Sequence, residues 1–270
     1  MTLWARCRGS AVRCATILVV VSACQEQRTD APAGGRIADV PEAVSRSAAD
    51  RASSPDSAVL TLGLVGADTA ARYRAAEDTS LLHGGTIVGT VRVTRPVTGD
   101  SAIIPTHDMS VCKPFTETRT PSQSGGVGNA VVWLVGVTTG PMQNAPRRAS
   151  LTLDRCRLAP RVQRMALGGT LQVTSRDAMS SRLRFVDLGA PTTIRAHVML
   201  SDAGQVVPTA DVALASGLVE VRDDRHPWVR AYIAVSPHPF VAITEPNGTF
   251  RFDGVPGGSY TVVIWHEQLG

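Results

Sequence analysis

The sequence predicts an all-β fold, a β-sandwich or barrel. Three observations carry that prediction. From residue 84 onward, short apolar stretches recur between Gly, Pro and Asp turns. No long amphipathic helical pattern follows residue 80. Aromatic residues make up only 4% of the 270 residues against 43% hydrophobic ones, so Val, Leu, Ile and Ala must fill the core.

Residues 1–24 read MTLWARCRGSAVRCATILVVVSAC. Arg6, Arg8 and Arg13 precede the apolar run 15–21, the pattern of a secretory signal. The run falls short of the roughly 20 apolar residues that a permanent membrane helix needs. It ends Val21-Ser22-Ala23-Cys24, which resembles the bacterial lipobox. The resemblance implies that Cys24 is diacylated, becomes the new N-terminus and anchors the chain at the bacterial cell envelope. Buried acyl chains, at about 0.8 kcal/mol per methylene, give stable attachment. The alternative is ordinary cleavage nearby, with Cys24 incidental. Gln25 is not the acidic residue of inner-membrane retention, which leans from the periplasmic side toward the outer membrane.

Residues 25–80 are expected to be a tether. The stretch 25–56 is rich in Ala, Arg, Ser, Asp and Pro and buries too little apolar surface to offset ordering entropy. Within the remainder, 57–65 (SAVLTLGLV) reads as a short strand and 67–78 as a helix.

Strands then follow in order: 84–94 (GGTIVGTVRVT), 129–137 (NAVVWLVGV), 149–162, 168–175 after a Gly-Gly turn, 182–186, 192–200 and 218–221. Near the end, Asn247-Gly248 is a strong two-residue turn signal, because both positions accept positive φ. Its expected arms are 242–245 and 249–252. The turn 255–258 leads into a last strand, 259–265.

The formal charge is +4, carried almost wholly by arginine, since Lys113 is the only lysine. The basic residues form no block or stripe, so nucleic-acid binding is not expected. Of the five cysteines, Cys7 and Cys14 leave with the signal and Cys24 takes the lipid. That leaves Cys112 and Cys156 in an oxidising compartment, where a disulfide is the natural expectation. The alternative, a metal or redox pair, lacks a CxxC or a flanking histidine cluster.

A family likeness rests on particular residues: Val111-Cys112, the stretch 129–134, Cys156-Arg157 with Pro160-Arg161-Val162, and Arg176-Asp177. It continues through His226-Pro227-Trp228, residues 230–233, His238-Pro239-Phe240, 247–250, 255–260 and Trp265-His266-Glu267. This set resembles secreted bacterial proteins with a cupredoxin-like (plastocyanin-like) domain that runs into a segment like the carboxypeptidase regulatory domain. The resemblance implies a Greek-key cupredoxin-like sandwich over 84–235 and a regulatory-like β hairpin segment over 236–270. The related proteins continue for another strand or two. Either this copy is cut short, or its sheet edge is open or covered by the N-terminal segment.

Copper-binding members present a histidine after a turn and a loop of the form Cys-x-x-His-x-x-Met, because thiolate, imidazole and a weak thioether suit copper. In this sequence the first histidine position falls near Ser181, the cysteine position is Asp223 and the methionine position is Val229. Only His226 remains, so copper is not expected and no cofactor is. Two readings of the loop stay open. In one, His226, Pro227 and Trp228 pack and fix a turn. In the other, Asp223, Asp224 and His226 form a harder metal site, with Met179 as a further donor, and the chain is a metal-binding or electron-transfer protein. His266-Glu267 lacks the second histidine of HExxH. With no nucleophile elbow either, the chain reads as a non-enzyme: a binding or scaffold module, partnered by the membrane through Cys24 and by an envelope protein or glycan.

Overall fold

The computed structural model describes residues 2–4, 16–24, 73–75, 84–93, 100–117 and 125–269, the first two stretches as backbone strands. The residues 57–65, read as a strand, lie outside this set, as do all of 25–72 and 118–124.

The chain is an all-β sandwich built from stacked sheets. A five-stranded sheet takes the order Val162–Ala166, Arg230–Ser236, Gly217–Asp223, Ser181–Asp187, Ile194–Leu200. Against it packs a four-stranded sheet ordered Arg157–Ala159, Arg148–Asp154, Thr170–Ser175, Val206–Thr209. Leu151, Leu153, Leu171, Val173, Leu183, Phe185, Val219, Val221, Ile233 and Val235 fill the space between them. Each such side chain, fully buried, contributes about 1.5–3 kcal/mol of apolar transfer.

Gly217–Asp223 and Arg230–Ser236 are buried on both faces. Successive side chains of a strand point to opposite faces. Val219, Val221, Ala231, Ile233 and Val235 therefore face the first core. Leu218, Tyr232 and Ala234 face the other way, onto Val131, Trp133 and Val241. That second contact belongs to a three-stranded sheet ordered Val241–Ile243, Val131–Val135, Thr261–Trp265. Its far face carries Val132 and Leu134, which pack with Val91, Phe250, Phe252 and Val255. The last four lie on Gly85–Val93 and Thr249–Val255, which are paired antiparallel. The backbone of Thr16–Cys24 lies antiparallel along the other edge of Gly85–Val93, from Ile17 opposite Val93 to Cys24 opposite Thr86.

Three expectations are corrected. First, Gly85–Val93 and Val131–Val135, assigned from sequence to the unit ending at 235, pair instead with the C-terminal strands. Alternation marks which face of a strand is apolar and says nothing of its partner. Second, the arms about Asn247-Gly248 do not form a regular hairpin. The turn is made, with Gly248 N–H donating to the Glu245 carbonyl at 2.7 Å. Val241–Ile243 then pairs with Val131–Val135, and Thr249–Val255 with Gly85–Val93, so the turn joins two facing sheets. Third, Arg74–Ala75 is a short parallel strand beside Thr139–Gly140, where the sequence suggests a helix over 67–78. Tyr73 fixes it: the ring packs into the C-terminal core and its hydroxyl donates to the Pro141 carbonyl. Burial raises the Tyr73 hydroxyl to a pKa of about 12.

Cys112 and Cys156 form the expected disulfide, with Cα atoms 5.3 Å apart. The bridge ties the segment 100–117 to the turn after Arg148–Asp154. Arg155 and Cys156 both sit at positive φ in that turn. Asp177 holds it, its carboxylate accepting the Arg155 N–H at 2.8 Å and the Cys156 N–H at 2.7 Å.

Candidate functional site

The turn 223–229 joins the two central strands, Gly217–Asp223 and Arg230–Ser236. It closes on itself. Asp223 Oδ1 accepts the Arg225 N–H at 2.7 Å and the His226 N–H at 3.1 Å, an Asx-type turn. The Val229 N–H donates to the His226 carbonyl at 2.8 Å, and the Asp223 N–H to the Val229 carbonyl at 3.2 Å. Val229 is fully buried in the first core, where it makes alkyl contacts.

His226 is 0% exposed. Its Nε2 lies 2.8 Å from Asp108 Oδ2. Its Nδ1 lies 3.1 Å from Asp223 Oδ1 but is not aligned for a hydrogen bond. The imidazole is thus set between two carboxylates, with the Trp228 ring edge-on at 5.4 Å and the His107 ring at 6.4 Å. Asp108 is held in place by its own backbone. It sits at φ +49°, and its carbonyl accepts the Val111 and Cys112 N–H groups at 2.9 and 2.8 Å. Arg225 lies 3.8 Å from the same carboxylate oxygen.

The structure separates the sequence candidates. Asp223 and His226 come together; Asp224 does not join them. It faces Arg184 and, at 3.6 Å, Arg182. Neighbouring residues at a strand end point to opposite sides, which is why a pair of adjacent aspartates supplies one carboxylate here. Met179 packs on the disulfide, its sulfur 3.6 Å from both cysteine sulfurs. Ser181 stands on Ser181–Asp187, two residues before Leu183, which is opposite Asp223. It is fully buried. Buried polar atoms without a partner at this end include Ser181 Oγ, Asp223 Oδ2, His226 Nδ1 and Trp228 Nε1.

These residues do not supply the thiolate, imidazole and thioether set that suits a blue-copper ion. The side chains at Ser181, Asp223 and Val229 are hydroxyl, carboxylate and alkyl, with no thiolate or thioether among them. Among the described residues no group of three or more His, Cys, Asp and Glu side chains is arranged to hold a metal ion. Sequence reasoning missed Asp108. The expected disulfide at Cys112 placed its loop near residue 156, but nothing in the pattern aimed a carboxylate at His226.

His266-Glu267 is a structural pair. Glu267 receives Arg161 Nε and the Arg161 terminal nitrogen at 2.9 and 2.5 Å. Burial lowers the pKa of His266, opposed by the Glu267 charge. His238 is buried among Tyr73, Trp133 and Phe240, and burial lowers its pKa to about 4.

No protein-family model and no curated protein matches the chain. Among solved structures, the chain is similar to amicyanin from Paracoccus versutus. The identity is 11%, covering 39% of this chain and 97% of that one, with a TM-score of 0.28. A purple cupredoxin from Nitrosopumilus maritimus is 14% identical, over 33% of this chain and 99% of that one, at a TM-score of 0.27. A Cu-containing nitrite reductase from Thermus scotoductus SA-01 is 14% identical, over 37% of this chain and 24% of that one, at 0.27. Likenesses at such TM-scores carry no argument about this chain. The sandwich rests on the strand pairing itself.

Proposed function

We propose that the chain is a non-catalytic binding or scaffold module of the bacterial cell envelope, anchored through a lipid on Cys24. Its sandwich is cupredoxin-like, with the copper end rebuilt as protein-only contacts. One observation carries the reading: His226, the imidazole left at that end, is hydrogen-bonded through Nε2 to Asp108 at 2.8 Å. Asp223, at the thiolate position, is occupied in capping the turn. The anchor is supported by the sequence Val21-Ser22-Ala23-Cys24 after an apolar run.

A second reading rests on the same corner. Asp223 Oδ2, His226 Nδ1 and Ser181 Oγ are buried without partners. Carboxylate, imidazole and hydroxyl together suit a borderline cation such as zinc better than copper. A buried water meeting those three groups serves the first reading equally well.

Equilibrium dialysis of the purified chain against Cu(II) and Zn(II), with a visible spectrum, decides between them. The first reading expects neither metal at stoichiometric occupancy. One zinc per chain, lost in His226→Gln, would establish the second. One copper per chain with a thiolate-free spectrum would sink the first. For the anchor, the Cys24→Ala variant is expected to leave the membrane fraction, and retention there would remove it.

A further inference from the structure

Trp228 follows the 223–229 turn's Pro227 and lines a cleft of about 570 Å³ shared by Phe115, Arg155, Arg157, Trp228 and Gln268. The charges around it are unevenly satisfied. Its three carboxylates all have cationic partners. Asp154 faces Arg176 at 3.7 Å, while Glu117 and Glu267 share Arg161 at 3.1 and 2.5 Å. Arg155 and Arg157 have no carboxylate among the described residues. The Arg157 guanidinium instead lies over the Phe115 ring, 4.8 Å from its centre.

Two polar atoms of the lining are buried with no hydrogen-bond partner: the Trp228 indole Nε1–H, a donor only, and Gln268 Oε1, an acceptor. A native structure seldom leaves such atoms unmet, so an ordered water or a bound molecule would complete them. The cleft thus offers two guanidinium forks for an anion, one N–H for an acceptor and one carbonyl for a donor. Arginine forks match carboxylate geometry. A hydroxyl beside the carboxylate would answer both the indole and the amide.

We infer that this cleft binds a small hydroxylated carboxylate, of the class of sugar acids. The inference rests on reading the chain as a binding module and names the ligand of that module. The same chemistry occurs as a free sugar acid and as a residue of an acidic envelope glycan.

The test is a calorimetric titration of the purified chain, followed in parallel by tryptophan fluorescence. The probes are D-glucuronate, an oligomer of glucuronate, D-glucose and acetate. Glucuronate is expected to bind saturably, with glucose and acetate at least about tenfold weaker, since each lacks one half of the recognised chemistry. Stronger binding by the oligomer assigns the glycan, and equal binding per residue the free acid. The double variant Arg155→Gln/Arg157→Gln changes exposed side chains and is expected to keep the melting temperature. It should lose affinity by about tenfold or more, as expected for a charge-assisted pair. Trp228→Phe is expected to lose severalfold while keeping the anion preference. No saturable response to glucuronate or its oligomer overturns the proposal. So does equal affinity for glucose, or unchanged affinity in a folded arginine double variant. Those failures leave the module reading standing, whereas one copper per chain in dialysis would remove that reading itself.

Discussion

Asp108 Oδ2 sits 2.8 Å from His226 Nε2, across 118 residues of sequence, at the turn that joins the two central strands. The contact joins the disulfide-held segment 100–117 to the turn between the two central strands. His226 is fully buried while Asp108 is about a third exposed on its side chain, so the imidazole depends on this partner.

The first prediction removes that partner. Asp108→Ala leaves a buried imidazole nitrogen without a hydrogen bond, which costs about 1–3 kcal/mol. Asp108→Asn keeps a side chain able to meet Nε2 and is expected to lose less. Urea unfolding of both variants measures it. Equal stability of wild type and Asp108→Ala would show that the contact contributes nothing.

The second concerns the bridge behind Asp108. Cys112 and Cys156 are separated by 44 residues and are both buried. Closing a loop of that length contributes about 4 kcal/mol on the chain-entropy account. The double variant Cys112→Ser/Cys156→Ser should therefore lose a large part of the chain's stability. Native protein should resist a reductant until it is partly unfolded. Thiol labelling at rising urea reads both, and rapid labelling in native buffer with dithiothreitol would contradict the burial.

Much of the fold is legible in the sequence, because strand periodicity and turn chemistry are local. The strands at 84–94, 129–137, 168–175 and 192–200 all contain observed strands. Pairing is not local. Val131–Val135 is apolar on both faces because it lies between two cores, and its composition names neither. At the candidate site, His226 stands out as the one residue that matches a motif and Asp223 as a departure from it. Asp108 does not, since its role depends on a disulfide and a positive φ that bring it to the histidine. The Asp223-Asp224 pair misleads for the opposite reason: adjacency in sequence sends the second carboxylate to Arg182 and Arg184.

A third prediction follows from the edge of Gly85–Val93. Thr16–Cys24 pairs along it, and processing before Cys24 would remove most of that strand. A chain beginning at residue 25 is expected to lose amide protection along 86–93 relative to the full chain. It is also expected to associate more readily at high concentration, because a bare edge offers unpaired backbone groups. Hydrogen exchange with mass spectrometry and sedimentation compare the two chains. Identical protection in both would mean that the pairing is not maintained in solution.

A fourth tests the turn that joins the two C-terminal sheets. Gly248 has φ +83°, and a Cβ there would come within 2.3 Å of the Val91 carbonyl oxygen and 2.8 Å of the Val127 nitrogen. Gly248→Ala must push two backbone segments apart and is expected to cost about 2 kcal/mol or more. Gly136 is the control: it has φ +88° but open space around the added methyl. Gly136→Ala carries the backbone strain alone, about 1 kcal/mol. Melting curves that rank Gly136→Ala as the more damaging would refute the close approach.

The last prediction is a pH dependence centred on His238. The ring is fully buried, ringed by Tyr73, Trp133 and Phe240, and its Nε2 has no partner. Nδ1 accepts the Phe240 N–H at 3.3 Å. Burial disfavours the charged form and lowers the pKa from 6.5 to about 4. The unfolded chain therefore binds a proton that the folded chain refuses between those two values. Stability is complete above about pH 6.5, falls as pH drops through the window and levels off below about 4. The full loss is about 3 kcal/mol at 1.36 kcal/mol per pH unit. Burial lowers His266 as well, which adds a loss of the same sign. His238→Gln keeps an acceptor for Phe240 and cannot titrate, so its urea midpoint should vary less between pH 7 and pH 4. The residual slope belongs to His266 and, at the acid end, to Asp253, whose carboxyl Arg251 holds low. A variant whose midpoint falls as steeply as the wild type's would place the acid sensitivity elsewhere.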